Sequence, residues 1–190
     1  MISKSPIKAY ESAEEWRQWL AKNHAKSGGI WMRIFKKNSG KETVSYLEAL
    51  DEALCFGWID GQKYAHDTTS WLQKFTPRRP KSVWSKRNRE HIVRLIKEKR
   101  MTVAGLAEVE AAQKDGRWDN AYDASSTMAV PEDFIEELKS DKGAYSFFKT
   151  LNRANTYAIA WRLQTAKKPE TRDRRKQQLL KLMKQRKKLH

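Results

Sequence analysis

The sequence predicts an α+β fold, a small mainly antiparallel sheet with packed helices followed by an all-helical C-terminal module. Three observations predict it. Stretches with a period of two fall only between Ile30 and Phe75, helical spacings flank them on both sides, and from Pro131 onward every apolar stripe repeats at helical intervals. At 190 residues, 39% hydrophobic with eight Trp, the chain carries too much bulky apolar material for a disordered polymer, and enough for one core or two.

Each element has a local reason. Ser12-Ala13-Glu14-Glu15 has capping-box spacing and opens a helix with Trp16, Trp19 and Leu20 on one side, stopping near Ser27-Gly28-Gly29. Ile30, Met32 and Ile34 then alternate with Trp31, Arg33 and Phe35 as a strand, and Asn38-Ser39-Gly40 makes a turn. Ser45-Tyr46-Leu47-Glu48 repeats the capping box, and Leu47, Leu50, Ala53 and Leu54 stripe a second helix that ends before Gly57. Gly57 to Tyr64 and Ser70 to Phe75 read as strands around a hairpin loop at His66-Asp67-Thr68-Thr69, with Thr76-Pro77 ending the sheet. Helical spacing returns in Ile92, Leu95 and Ile96, and in Val103, Leu106 and Val109 between a Thr102 N-cap and Asp115-Gly116.

An α+β domain is therefore expected over residues 1–122, a linker over 123–130 around Asp123-Ala124-Ser125-Ser126-Thr127, and a helical module over 131–190. In that module Pro131 suits a first helical position before Phe134, Ile135 and Leu138, and Ala144, Phe147, Phe148 and Leu151 form the next stripe. One further helix is expected to carry Tyr157, Ala158 and Trp161, and a basic last helix from Pro169 carries Leu179, Leu180 and Met183.

No run approaches the roughly 20 apolar residues of a membrane span, and Met1-Ile2-Ser3-Lys4-Ser5-Pro6 has no signal-like apolar stretch, so a cytoplasmic protein without a membrane partner is expected. Cys55 is the one cysteine and sits in apolar Ala53-Leu54-Cys55-Phe56 with no adjacent cation, which favours a buried packing thiol over a nucleophile. His24, His66, His91 and His190 are scattered without ligand spacing, no GxGxxG, GxxxxGK[ST] or GxSxG occurs, and no metal, cofactor or catalytic residue is assigned.

The net charge of +16 is concentrated in two runs. Arg78 to Arg100 holds ten Lys/Arg against Glu90 and Glu98, and Lys167 to Lys188 holds eleven against Glu170 and Asp173, which leaves the remainder near neutral. The plain reading is two solvated helix faces. The functional alternative is nucleic acid, bound by Lys86, Arg87, Arg89, Arg174 and Arg175 with Trp71, Phe75 and Trp84 as stacking faces, provided both runs share one side.

One stretch stands out: Phe56-Gly57-Trp58-Ile59-Asp60-Gly61-Gln62, followed by Thr76-Pro77-Arg78-Arg79 and Trp84-Ser85-Lys86-Arg87-Asn88. Strand alternation would project Trp58, Asp60, Gln62 and Tyr64 from one face. Trp58, Asp60, Gln62, Arg78, Arg79 and Trp84 then form either a pocket for a small molecule or anion, or a structural network in which Asp60 pairs with Arg78 or Arg79 under a Trp lid. A catalytic version, with Asp60 as general base, has no accompanying nucleophile or metal.

These residues, with Trp31 to Lys37, the run Glu48 to Gly61, Gly105-Leu106, Asp115-Gly116-Arg117-Trp118 and, in the C-terminal segment, Ala166-Lys167 and Glu170-Thr171-Arg172, resemble the YdeI/OmpD-associated family of bacterial bacteriocin-protection or bacteriocin-resistance proteins. Lys99 departs from the family pattern, which often has Gly before Arg-Met. The resemblance implies a role in stress or bacteriocin tolerance and brings no reaction or cofactor. The sequence therefore points first to a non-catalytic binding or tolerance protein with a Trp/Asp/Arg site, and second to a nucleic-acid-binding protein.

Overall fold

The structure, a computed structural model, describes residues 5–123 and 127–189. Ala124, Ser125 and Ser126 of the expected linker, the first four residues and His190 lie outside the described residues. The α+β class is as expected, with β1 (Ile7–Ala9), α1 (Ala13–Asn23), β2 (Ile30–Phe35), α2 (Tyr46–Cys55), β3 (Trp58–Ala65), β4 (Ser70–Pro77), α3 (Lys86–Lys97) and α4 (Val103–Lys114), then α5 (Glu132–Lys139), α6 (Lys142–Lys149), α7 (Arg153–Gln164) and α8 (Pro169–Lys184). Two compact units result: one runs through Trp84 and includes Asn88–Asn120, and the other joins Ser85–Arg87 to the chain from Ala121 onward.

In the first unit the four strands run β1-β2-β4-β3. β4 is antiparallel to both neighbours, but β1 lies parallel to β2, so the sheet is mixed. A parallel pair needs a crossover, and α1 supplies it. Three residues are too few for a period of two to register, which is why β1 has no signature in the sequence.

β3 carries a bulge. Asp60 pairs with Phe75 and Lys63 with Gln73, so three steps on β3 match two on β4 around Gly61-Gln62. Gln73, buried, turns its amide onto the displaced carbonyls, donating to Gly61 O at 2.9 Å and Gln62 O at 3.3 Å. The slip changes the face of everything after it: Trp58 and Asp60 share a face with Phe75, whereas Tyr64, paired with Leu72, lies on the opposite one beside Trp31. Simple alternation of Trp58, Asp60, Gln62 and Tyr64 is thereby broken.

α2 is the most enclosed helix of this unit, buried from Ala49 to Cys55. Its start is the full capping box expected at Ser45, whereas at α1 Ser12 accepts from the Glu15 amide and the Glu15 carboxylate reaches the Glu11 amide instead. Asp51 and Glu52 are buried among the apolar residues and are held by charge-assisted bonds. Asp51 lies 2.7 Å from His91 Nδ1 and 2.6 Å from Arg94, and Glu52 accepts from Arg17 at 2.6 Å and Arg100 at 2.5 Å. Arg17 also donates to the Arg100 carbonyl, so α1, α2 and α3 meet at one pair of acids. Lys99, beside this junction, has φ 57, the left-handed conformation that favours the Gly of the family pattern.

The C-terminal end of α2 is closed by α4. The Cys55 carbonyl accepts from Thr102 Oγ1 at 2.6 Å and from the Thr102 amide at 3.1 Å, while Thr102 caps α4 through the Gly105 amide. A Cβ on Gly105 would lie 2.2 Å from that same carbonyl oxygen. The approach of the two helices therefore requires glycine at a position where every residue but proline is a better helix former.

The second unit is a helical assembly with its own core of Phe134, Leu138, Ala144, Ile159, Leu163, Leu179, Leu180 and Met183. Pro131 is the N-cap of α5 rather than its first residue, while Pro169 occupies the first turn of α8 as expected. α7 buries Asn155, Ile159, Ala160 and Leu163, and leaves Tyr157, Ala158 and Trp161 half-buried, so the expected stripe is rotated. The reason is polar: the Asn155 carboxamide oxygen accepts from the Leu189 amide, fixing that side inward. α8 is clamped to α5 by Arg172, bidentate on Asp133 at 2.7 and 2.8 Å, and by Lys176 on Glu137 at 2.6 Å.

Two outcomes follow. Gly105→Ala, which on an open helix would gain about 1 kcal/mol, should instead destabilise the chain by roughly 1–3 kcal/mol through overpacking, read as a lower urea midpoint at unchanged slope. In the second unit the Arg172 hydrogen bond holds Asp133 down to about 2, below its unfolded value near 3.9. Its contribution is thus complete above about pH 4 and is lost as pH falls toward 2, by at most about 1 kcal/mol because the pair is half exposed. Hydrogen-exchange protection of α5 and α8 should fall over that window, and Asp133→Asn should flatten the dependence.

Candidate functional site

The six residues of the expected Trp/Asp/Arg site do not gather in one place. Trp58 opens β3 inside an aromatic core, 6.2 Å from Trp16 and 5.8 Å from Trp19 in edge-on geometry, and its Nε1 donates to the His24 carbonyl. Trp84 is buried beside Trp118, and the Arg78 guanidinium lies 3.6 Å above its ring while donating to the Val83 carbonyl. Each indole is 1% exposed, so neither offers a face to solvent. Gln62 sits in the exposed bulge, and Arg79 is exposed just past β4. Arg78 and Trp84 are thus brought together, but Trp58 is in a different cluster.

Asp60 leads elsewhere. It is half-buried, and its carboxylate accepts from Tyr46 Oη at 2.8 Å. Tyr46, the first residue of α2, stands with its ring 6.1 Å from Trp71, inclined by 49°. Trp71 pairs with Ile34 on β2 and with Ala65 on β3, and because of the bulge Lys63 falls on its face, with Nζ 4.1 Å from the ring centroid.

Tyr46 and Trp71 form one wall of a cleft of about 740 Å³, within the usual range for small-molecule sites. The end of β2 and the segment leading to α2 make the other walls. Phe35 donates its amide to Thr43 Oγ1, Lys36 bridges through Nζ to the Thr68 carbonyl, and Val44 donates to the Tyr10 carbonyl, so backbone and side-chain bonds fix the rim from three sides. Lys36, Lys37 and Lys41 are exposed at the cleft, set against Glu11 and Glu42. Lys41 Nζ lies 5.1 Å from the Phe35 centroid; Arg33, 4.6 Å from the same ring, is outside the lining and is paired with Asp67 at 2.7 Å. A second hollow of about 520 Å³ adjoins, sharing Phe35, Lys41 and both glutamates.

Sequence reasoning reached this cleft at its back wall, through Asp60, and missed its lining. Trp71 enters the sequence reading only as a stacking face. The signal that distinguishes it is a large aromatic one residue into a strand that pairs with the strand leading into the lysine-rich Lys36-Lys37-Asn38-Ser39-Gly40-Lys41 turn.

The two basic runs are partly consumed inside the protein. In the first, Arg78 and Arg89 lie over Trp84 and Trp118, Lys86 pairs with Asp123, and Arg94 and Arg100 hold the α2 acids. Arg79, Lys81, Arg87, Lys97 and Lys99 are exposed. In the second, Arg172 and Lys176 hold α5, and Arg175 donates to the Arg162 carbonyl near the end of α7, while Arg174, Lys181 and Lys184 are exposed along α8.

Cys55 is fully buried, as its surroundings predicted, but cations do reach it: Arg17 and Arg100 draw its thiol down while burial pushes it up, to about 11. Among the described residues no three His, Cys, Asp or Glu side chains group as metal ligands, and no helix is long and apolar enough to cross a membrane.

Comparison with protein families divides the chain in the same order as its folded units. Residues 8–108, which contain the sheet, α2 and the cleft, match the model of a domain of unknown function, DUF8412. Residues 127–186, which contain α5 to α8, match the family described as bacteriocin-protection, YdeI or OmpD-associated, and so carry the resemblance read from the sequence. No curated protein and no solved structure matches the chain. The chain belongs to the DUF8412 family, whose model spans just over half of it, and its C-terminal helices are similar to the family described as bacteriocin-protection, YdeI or OmpD-associated.

Proposed function

We propose that the chain is a non-catalytic, cytoplasmic binding protein acting in bacterial stress or bacteriocin tolerance, with an α+β ligand-binding domain over residues 1–122 and a helical module over 131–190. The observation that carries the binding role is the cleft on Tyr46 and Trp71, whose aromatic wall is braced by a buried-side hydrogen bond to Asp60 rather than by contacts a ligand would have to break. The tolerance role rests on the name of the C-terminal family. Asp60 here is a positioning group: it accepts from Tyr46 and is not itself part of the cleft lining.

A screen of small aromatic fragments, mapped by amide chemical shifts of the full chain, tests this. Hits should perturb residues of the cleft, Trp71→Ala should weaken them by roughly tenfold or more, the scale of a lost stacking partner, and Asp60→Ala should weaken them less while the chain stays folded. Fragments that map elsewhere, or that are indifferent to Trp71→Ala, remove the reading.

A second reading, nucleic-acid binding, is favoured by the ridge of Arg174, Lys181 and Lys184 along α8 and by Arg87 on α3. Neutralised phosphates release counterions, so affinity for an RNA or DNA oligonucleotide should fall steeply with salt. Arg87→Glu and Arg174→Glu should each weaken it, whereas Arg89 and Arg175, engaged inside their units, should act through stability. Binding that ignores salt, or no binding, discards it.

A further inference from the structure

We infer that the cleft takes a planar aromatic ring bearing an anionic group; this rests on the binding role proposed above and names the class of ligand. The rings of the wall are paired with cations. Lys63 Nζ stands 4.1 Å over Trp71 and Lys41 Nζ 5.1 Å from the Phe35 centroid, so each of these two aromatic rings already has a positive charge beside it. A cationic ring would compete with those charges for the same faces. A ring that stacks on the wall and extends an anion toward the lysines satisfies both, because the stacking surface and the charge are held side by side before it arrives.

The geometry of the wall agrees. Tyr46 and Trp71 are 6.1 Å apart and inclined by 49°, too close to admit a ring between them, so they form a corner in which an entering ring lies against one and meets the other edge-on. Tyr46 cannot swing to close that corner without giving up its bond to Asp60. At the rim Lys36 is committed to the Thr68 carbonyl, and Lys37 and Lys41 are the further exposed cations, opposed by Glu11 and Glu42. The rim therefore favours an anion by a modest margin, and removing a glutamate should enlarge it.

Calorimetry with three compounds isolates the two halves of the ligand: naphthalene-2-sulfonate, its neutral isostere naphthalene-2-sulfonamide, and methanesulfonate, which has the charge without the ring. The sulfonate should bind about fivefold or more tightly than the sulfonamide at low salt, a gap in keeping with exposed ion pairs, and methanesulfonate should not bind detectably. The gap should close as salt is raised. It should vanish in the double variant Lys37→Gln/Lys41→Gln, and widen in Glu42→Gln. If the sulfonamide binds as well as the sulfonate, or neither binds while fragments still map to the cleft, the ligand class is wrong and the cleft stands. If Trp71→Ala leaves naphthalene binding unchanged, the cleft itself is wrong.

Discussion

Two adjacent carboxylates on α2 organise the first unit. Asp51 and Glu52 are taken out of water on a helix whose neighbouring residues are apolar, and a buried carboxylate without a partner is costly enough to shift or unfold a protein. Here Asp51 has three basic partners and Glu52 two, drawn from α1, from α3 and from the chain just before α4. The arrangement fixes α2 in rotation as well as position, because a turn of the helix would strand both acids. Tyr46 and Ser45 lie at the start of that helix, so the orientation of the cleft wall is set by an ion cluster about one and a half turns away along it. An adjacent consequence is the burial of Cys55, which completes this helix and is kept protonated by its surroundings.

What could be read from the sequence was what local chemistry decides. Caps at Ser45 and Thr102, the helix stop at Asp115-Gly116, the hairpin at 66–69 and the helical character of everything after Pro131 follow from residue type and spacing alone, and all are found in place. The places where reading failed depend on partners distant along the chain. The bulge at Gly61-Gln62 is visible only once Gln73 is known to lie opposite, and it undoes the alternation that put Trp58 and Tyr64 on one face. α7 is rotated because Asn155, a polar residue, heads its buried side. The aromatic wall brings together residues 46, 60 and 71 from a helix and two strands, and no local pattern announces that meeting.

Charge was legible in amount and misleading in meaning. The strongly basic runs suggest a continuous positive surface, yet several of their members serve as internal ties. Arg78 and Arg89 cover indoles, Arg94 and Arg100 neutralise acids, and Arg172 and Lys176 lash α8 to α5. Arginine suits this use because its planar head can stack on a ring and donate in its plane at once, as Arg78 does with Trp84 and the Val83 carbonyl. A run of like charge in a sequence is thus a pool from which the fold draws its fasteners, and the field left outside is smaller than the formal total.

The bulge on β3 has a consequence beyond placing Lys63. β3 is an outermost strand, and its second half is exposed. A straight strand in that position would offer its open edge as a template for another copy of the chain. The inserted residue throws the spacing of edge groups out of step, and Lys63 adds a charge at the same point. One displaced residue thereby protects a tryptophan-rich domain from intermolecular strand pairing and the aggregation it would seed.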